Sequence, residues 1–458
     1  MCAASQQVSG SSQSETVTTL NIIGPASASV GLGSRIDIQI PSFNQTWLDA
    51  ERDFGTVGDG VADDTIALNS AIQASGAQRR PLIIPAGSYK ISTQMLVPSN
   101  AVIFGYGAVL LNYTDVVPEE SYLGVALVVS SERADSPVTD VKIYGIEIDG
   151  RRASQTVGKA GLKVQGNVRN LLVKDCYFHD NSTDGWLMIR SSLGDDLIPE
   201  HCVFEDVVCL NNSRQGASIS VGRHIVIRGG DYSQTGGEPP SAGIDIEPDV
   251  PGTACENILI QGVRFADNAG AGLLFDYVGA GVSPIRNVRV SDCQMSGNGF
   301  SGVTIRAAEG VSLRNCLIDN NLDSGIELNT YEQSPLIDIQ VQDGRIYNNG
   351  SGGVFGVLNN DATSGKSWKF LNMAVFDNGY TDSDQFHGMQ FQGVIDDIQV
   401  IGCTVQNRTT ENQAYGLVTG EGVTRLRADL NNFSENAQGS VSLLDDFETR
   451  RYGSSNNE

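Results

Sequence analysis

Charge is scarce in this chain. Charged residues make up 18% of the 458 positions, below the usual quarter of a globular protein. Basic residues are scarcer still: 30 Lys and Arg stand against 54 Asp and Glu, a formal charge of −24. Binding to a phosphate backbone needs a dense basic footprint, so nucleic acid is excluded as the main partner. An anionic membrane surface is excluded on the same ground. No apolar run reaches the length of about 18 residues that a spanning helix needs, so membrane insertion by that route is not expected. The N-terminus, MCAASQQVSGSSQSETVTT, lacks a basic start and an apolar core and does not read as a signal peptide. Either this route of secretion is not used or a signal has been removed; Cys2 after Met1 leaves a lipoprotein as a third option. Close cysteine pairs, a P-loop, a dinucleotide fingerprint and a serine-nucleophile elbow are all missing, which leaves zinc, nucleotide and serine-hydrolase chemistry without support.

What is present is apolar and rich in turns. Apolar residues reach 40%, and 52 glycines occur with no collagen-like period of three. The length fits two or three average domains, or one elongated repeat domain with additions. Residues 1 to about 24 are rich in Ser, Thr and Gln and read as a flexible arm or attachment segment. SRIDIQIP (34–41) alternates like one short strand. One clear helical pattern, DDTIALNSAIQAS (63–75), is capped by Asp63 or Asp64, with Ile66, Ala67, Ala71 and Ile72 on a shared face. After Pro81 helix signals almost vanish.

An internal repeat follows. NLLVKDCYFHDNSTDGWLMI (170–189), NILIQGVRFADNAGAGLLFD (257–276), NVRVSDCQMSGNGFSGVTI (287–305), GVSLRNCLIDNNLDSGIEL (310–328) and DIQVQDGRIYNNGSGGVFG (338–356) share one order. Each has a short alternating strand, a second strand, an Asn-rich turn, a glycine and a third strand. Evenly spaced short strands without helices between them define a solenoid of parallel coils. Cys176, Cys202, Cys293, Cys316 and Cys403 read as one inward-facing stack of reduced thiols rather than as disulfides. Asn181, Asn268, Asn298, Asn320 and Asn349 read as one turn position where the amide bonds to the next coil.

The stretch DFGTVGDGVADDTIALNSAI (53–72), followed by PLIIPAGSYKI (81–91), resembles the opening motif of pectate-lyase-like right-handed parallel β-helix proteins. With the repeats, the resemblance covers roughly residues 50 to 445. It implies an all-β right-handed solenoid of about twelve coils. Its organisation would be an N-terminal arm (1–48), a cap motif with a short helix (49–100), the β-helix (101–445) and a tail (446–458). The family includes polysaccharide lyases, glycoside hydrolases, alginate epimerases and bacteriophage tailspikes. HDNSTDGW (179–186) resembles an epimerase coil, but the Asp-Pro-His-Glu run of those enzymes is replaced by LKVQGNVRN (162–170), and Arg190 stands where a mobile Asp is expected. The epimerase reading is therefore demoted to an alternative. The bland arm most resembles a tailspike, which implies a homotrimer bound through residues 1–48 to a virion tail or baseplate protein, with a host surface polysaccharide as ligand. Leu187, Ile189 and Phe355 are outward apolar candidates for a subunit interface.

Aligning the coils on Gly216, Gly243, Gly272, Gly302 and Gly325 gives third strands ASIS, IDIE, LLFD, VTIR and IELN. First and third positions face in, second and fourth out. The outward set then contains Asp245, Glu247, Asp276, Arg306, Glu327 and Asn329. Glycoside hydrolysis needs one protonated and one ionised carboxyl, and crowded acids create that division by raising one pKa. Glu247, Asp245 and Asp276 are thus the expected catalytic acids. Asp245 and Glu247, about 7 Å apart along one strand, would fall in the inverting range of roughly 6.5–9.5 Å. Arg306, Glu327, Asn329, Tyr277 and Tyr331 are expected to bind substrate, the tyrosines by stacking on sugar rings. The loops PDVPGTACEN, YVGAGVSP and NTYEQSP are expected to wall the groove. No cofactor or metal is called for. Two further groups are weaker candidates: His179 with Asp180, Asp184, Asp195 and Asp196, and His387 with Asp382 and Asp384. The expected function is a phage spike that binds and cleaves a host polysaccharide. The alternatives are a non-catalytic receptor-binding spike and a surface-bound or secreted bacterial lyase or epimerase.

Overall fold

The computed structural model describes residues 27–30, 36–39, 47–114, 124–154, 158–192, 197–248, 253–277, 285–330, 336–358, 364–381, 385–409 and 412–443. It divides into residues 1–46 and 47–458. In the first unit, Ser27–Val30 pairs antiparallel with Ile36–Gln39.

The second unit is a right-handed parallel β-helix with three faces. The first sheet has 14 strands, and the second and third have 13 each, against the roughly twelve coils expected. Period-two alternation drives each strand. On the third sheet Ile244 and Ile246, Leu273 and Phe275, Val303 and Ile305, and Ile326 and Leu328 are fully buried in like positions of successive coils. Each such side chain contributes about 1.5–3 kcal/mol on leaving water. The glycines used for alignment are steric requirements. A Cβ on Gly243 would lie 2.6 Å from the Gly272 carbonyl oxygen, and one on Gly272 would lie 2.7 Å from that of Gly302.

The N-terminal end is closed by α1 (Ala50–Phe54) and α2 (Thr65–Gln78). Asp64 is the N-cap residue of α2, yet its carboxylate accepts from the Val57 and Gly58 amides. The Thr65 amide donates instead to Asp63 Oδ1. The buried face of α2 is Leu68, Ala71, Ile72 and Ser75, while Ile66 is 83% exposed. Ala71 and Ile72 of the expected face are buried, but Leu68 rather than Ile66 completes it, and Ile66 points to solvent.

Two ladders need correction. Cys176, Cys293, Cys316 and Cys403 do share the turn after the first sheet, but Cys202 lies within a first-sheet strand, opposite Leu171. Cys209 and Cys255 are also buried, and all seven described cysteines are free thiols. In the asparagine ladder Asn321, not Asn320, holds the turn position. Asn268 Nδ2 donates to Asn298 Oδ1 (2.9 Å), Asn298 to Asn321 (2.8 Å), Asn321 to Asn349 (2.8 Å) and Asn349 to Asn378 (2.9 Å). Asn320 precedes it in a left-handed conformation, bonded to Asp319 and Asn348. Leu187 is likewise not an exposed outward residue: it packs with Val125, Val128 and Ala160 of its own chain, with Ile189 against them.

Candidate functional site

The outward positions of the third sheet form two parallel rows. One runs Leu187, Ser218, Asp245, Leu274, Thr304, Glu327, Phe355, each paired with the next. The other holds Glu247, Asp276, Arg306 and Asn329. Their backbone amides donate to Ile219, Ile246, Phe275 and Ile305 of the preceding coils. Glu247 and Asp276 thus stand on adjacent rungs, about 4.8 Å apart at the backbone.

The side chains differ sharply in exposure. Asp245 occupies an outward register but is fully buried. Gln215 Nε2 donates to its Oδ2, Ser218 Oγ donates to Gln215 Oε1 (2.7 Å), and Oδ1 has no hydrogen-bond partner. Burial, followed by the nearby Glu247 and Asp276, pushes the Asp245 carboxyl well above the usual carboxylate range. Its anionic form is the disfavoured one, and substrate cannot touch it without movement of the cover. Asp276 is half-buried. Its Oδ2 accepts from Arg306 Nη1 (2.6 Å) and its Oδ1 from the Tyr277 amide (2.8 Å). Arg306 and Tyr277 are also half-buried. Glu327 is nearly buried and accepts from Thr304 Oγ1 (3.2 Å). Burial first, then Asp323, raises its pKa. Asn329 is half-buried beside it. Tyr331 lies outside the described residues, as do most of the three loops expected to wall the groove.

A wall is present on the opposite side. The segment before the IDIE strand and the turns before the next two strands enclose a cleft of about 560 Å³. Pro239, Pro240, Ala271, Leu274 and Phe300 line it, and Arg306 borders it. Of these, Arg306 was expected from the sequence to bind substrate and Leu274 falls on the outward face, an aliphatic among acids, while Pro239, Pro240, Ala271 and Phe300 were not expected.

The His179 group separates. Asp184 is buried in a two-bond ion pair with Arg214 (2.9 and 2.7 Å). His179 instead sits on the second sheet, with Nδ1 at 2.5 Å from Asp180 and Nε2 at 3.1 Å from Glu147. Asp149, His179 and Asp180 bring ligand atoms within 4.8 Å of one another. Both ring nitrogens already face carboxylates, and Asp149 accepts from the Arg151 amide (2.7 Å). Asp195, Asp196, Asp382 and Asp384 lie outside the described residues. His387 packs edge-on to Tyr415 at 5.7 Å, and burial lowers its pKa.

Family models agree with this architecture. One described as rhamnogalacturonase A/epimerase, pectate lyase-like, matches residues 47–235, and one described as a right handed beta helix region matches 253–381. The chain is a right-handed parallel β-helix, similar over residues 47–235 to pectate-lyase-like proteins. Alginate lyase 7 of Azotobacter vinelandii is 27% identical over 212 residues, 38% of this chain and 24% of the relative. The pre-neck appendage protein of Bacillus phage B103 is 39% identical over 83 residues, 18% of this chain and 9% of that protein. These matches therefore span a quarter or less of the curated relatives. Among solved structures, the A-module of the A. vinelandii mannuronan C-5 epimerase AlgE6 aligns with a TM-score of 0.59 at 17% identity, covering 87% of this chain and 98% of that one. Tailspike protein 3 of bacteriophage CBA120 aligns with a TM-score of 0.59 at 13% identity, covering 93% and 65%. At these identities the structures establish the fold alone. Among the described residues no helix is long and apolar enough to cross a membrane.

Proposed function

We propose that the third-sheet face binds a host cell-surface polysaccharide and hydrolyses it, and that the protein is a phage tailspike or tail fibre. The observation that carries the chemistry is the placement of Glu247 and Asp276 on adjacent rungs beside the cleft. Asp276 is held by Arg306 and the Tyr277 amide, which suits a nucleophile or base. Glu247 is then the general acid. Asp245, whose anionic form burial disfavours, limits the negative charge that the pair must bear. Because Asp245 is buried, the inverting pair expected from the sequence gives way to Glu247 with Asp276. Their rung spacing is near the carboxyl separation of about 5–5.5 Å used by retaining glycosidases. Glu327, Asn329 and Tyr277 extend the binding surface.

The phage reading draws support from the appendage-protein match. On that reading residues 1–48 attach to the virion tail or baseplate, and three copies pack as a homotrimer. The alginate lyase match favours a second reading, in which the same face carries out lyase chemistry on a polyuronate.

Reducing-end release from host polysaccharide tests the proposal. Glu247→Gln should lower turnover by about 10²–10⁴-fold while glycan binding survives, and the first product should retain its anomeric configuration by NMR. An unsaturated, ultraviolet-absorbing product would establish the lyase instead. Binding by the wild type without turnover would establish a non-catalytic spike.

A further inference from the structure

The cleft beside the acids has a chemical character of its own. At about 560 Å³ it lies within the range of small-ligand sites, about 300–1,000 Å³. Its floor is Leu274, packed with Ala242 and Ala271 in a small buried cluster separate from the main core. Pro240 and Phe300 add apolar wall. Ser241 contributes little polarity, because its hydroxyl donates to the Glu238 carbonyl (2.7 Å). The charges around it are mostly acidic. Of the arginines near it among the described residues, Arg306 is in an ion pair with Asp276, Arg214 is in one with Asp184, and Arg152 donates to the Asn211 and Gly236 carbonyls beside Gly237 of the lining. Glu247 and Glu327 add further carboxyls to the same face. An anionic sugar entering here would meet acids, with these arginines already engaged by carboxylates and carbonyls.

The geometry points to this cleft as a subsite for a neutral, acetylated sugar residue, with the acetyl methyl against Pro240, Leu274 and Phe300. The sugar ring lies over the adjoining acids, and the acetyl carbonyl faces the Arg306 end. This rests on the reading of the third-sheet face as the glycan-binding groove and adds the substrate class. It also separates the hydrolase from the lyase reading, since a polyuronate carries a carboxylate on every residue.

Saturation-transfer NMR on the full chain tests it, with the methyl glycosides of N-acetylglucosamine, N-acetylgalactosamine and N-acetylmannosamine as probes. Methyl glucoside and methyl glucuronide are the comparisons. At least one acetylated probe should bind, with its acetyl methyl receiving the strongest saturation. Leu274→Asp should weaken that binding by about tenfold or more, the scale of a lost apolar pocket contact. Phe300→Ala, at a half-buried turn position, should act in the same direction and guards against a folding defect in the first variant. The inference is overturned if methyl glucuronide binds as well as the acetylated probes. It is equally overturned if no acetylated probe binds, or if both folded variants bind like wild type. Acetyl-specific binding without depolymerisation would keep the subsite and remove the catalytic reading. Equal cleavage of a host polysaccharide before and after its chemical deacetylation would do the reverse.

Discussion

Arg306 and Asp276 form a 2.6 Å ion pair across one coil step, with 17% of each side chain exposed. The pair fixes an acid on the rung next to Glu247 and sets one end of the cleft. Arg306→Ala should remove an electrostatic clamp from the proposed nucleophile and lower turnover by about a hundredfold. Arg306→Lys should recover only part of it, because an ammonium keeps the charge without the guanidinium's fixed fork. Steady-state kinetics on the host polysaccharide check both. Wild-type turnover in Arg306→Ala would place the reacting acid elsewhere.

The asparagine ladder gives a stability prediction that separates two neighbours. Asn321 Oδ1 accepts both the side-chain amide and the backbone amide of Asn298, and its own amide donates to Asn349. Asn321→Ala would strand several buried groups at once, at a cost of about 3 kcal/mol. Asn320 is exposed, and its special feature is its left-handed backbone. Asn320→Ala should cost only about 1–2 kcal/mol. Equal losses in chemical denaturation would contradict the assignment of the ladder to Asn321.

The thiols supply a third test. Burial pushes Cys176 and Cys202 each to about 12, so little thiolate forms at neutral pH. Titration with a thiol reagent should find Cys176, Cys202, Cys209, Cys255, Cys293, Cys316 and Cys403 silent in the folded protein and reactive after unfolding. Fast native reaction at these positions, mapped by mass spectrometry, would rule out the packed interior.

The solenoid was legible because its cause is local. Alternation, the asparagine turn and the glycine before the third strand recur in each coil, and each has a steric or hydrogen-bonding reason. Errors came where one residue decides between neighbouring positions. NN at 320–321 offers two asparagines for one slot, and only stacking against Asn298 and Asn349 selects the second. The helix face was mistaken for a similar reason: Ile66 and Leu68 are equally apolar, and the cap's tilt over the first coil decides which is covered. For the site, alternation told direction but not cover. Asp245 faces outward in register, yet Gln215 and the surrounding coils bury it. Pro239, Pro240 and Phe300 reach the cleft from turns, whose paths strand periodicity does not encode.

The buried acid makes a final prediction with a definite sign. The folded pKa of Asp245 is raised above its unfolded value, which is about 3.9. Its favourable protonated state is therefore fully available below pH 4, and the associated stability is lost as pH rises through the folded pKa. Each unit of that shift corresponds to about 1.4 kcal/mol. Asp245→Asn cannot ionise, so its stability should lack this decline. The difference, wild type minus variant, should fall as pH rises above about 4 and level off once Asp245 is ionised. Glu327, also raised, titrates in both proteins and largely cancels from the difference. The fixed effect of placing an amide where Oδ1 stood shifts the whole curve without changing its slope. Urea denaturation of both proteins at a series of pH values between 4 and 8 measures it. A flat difference would mean that Asp245 is not held protonated, and the acid beneath Glu247 would then add charge to the pair instead of sparing it.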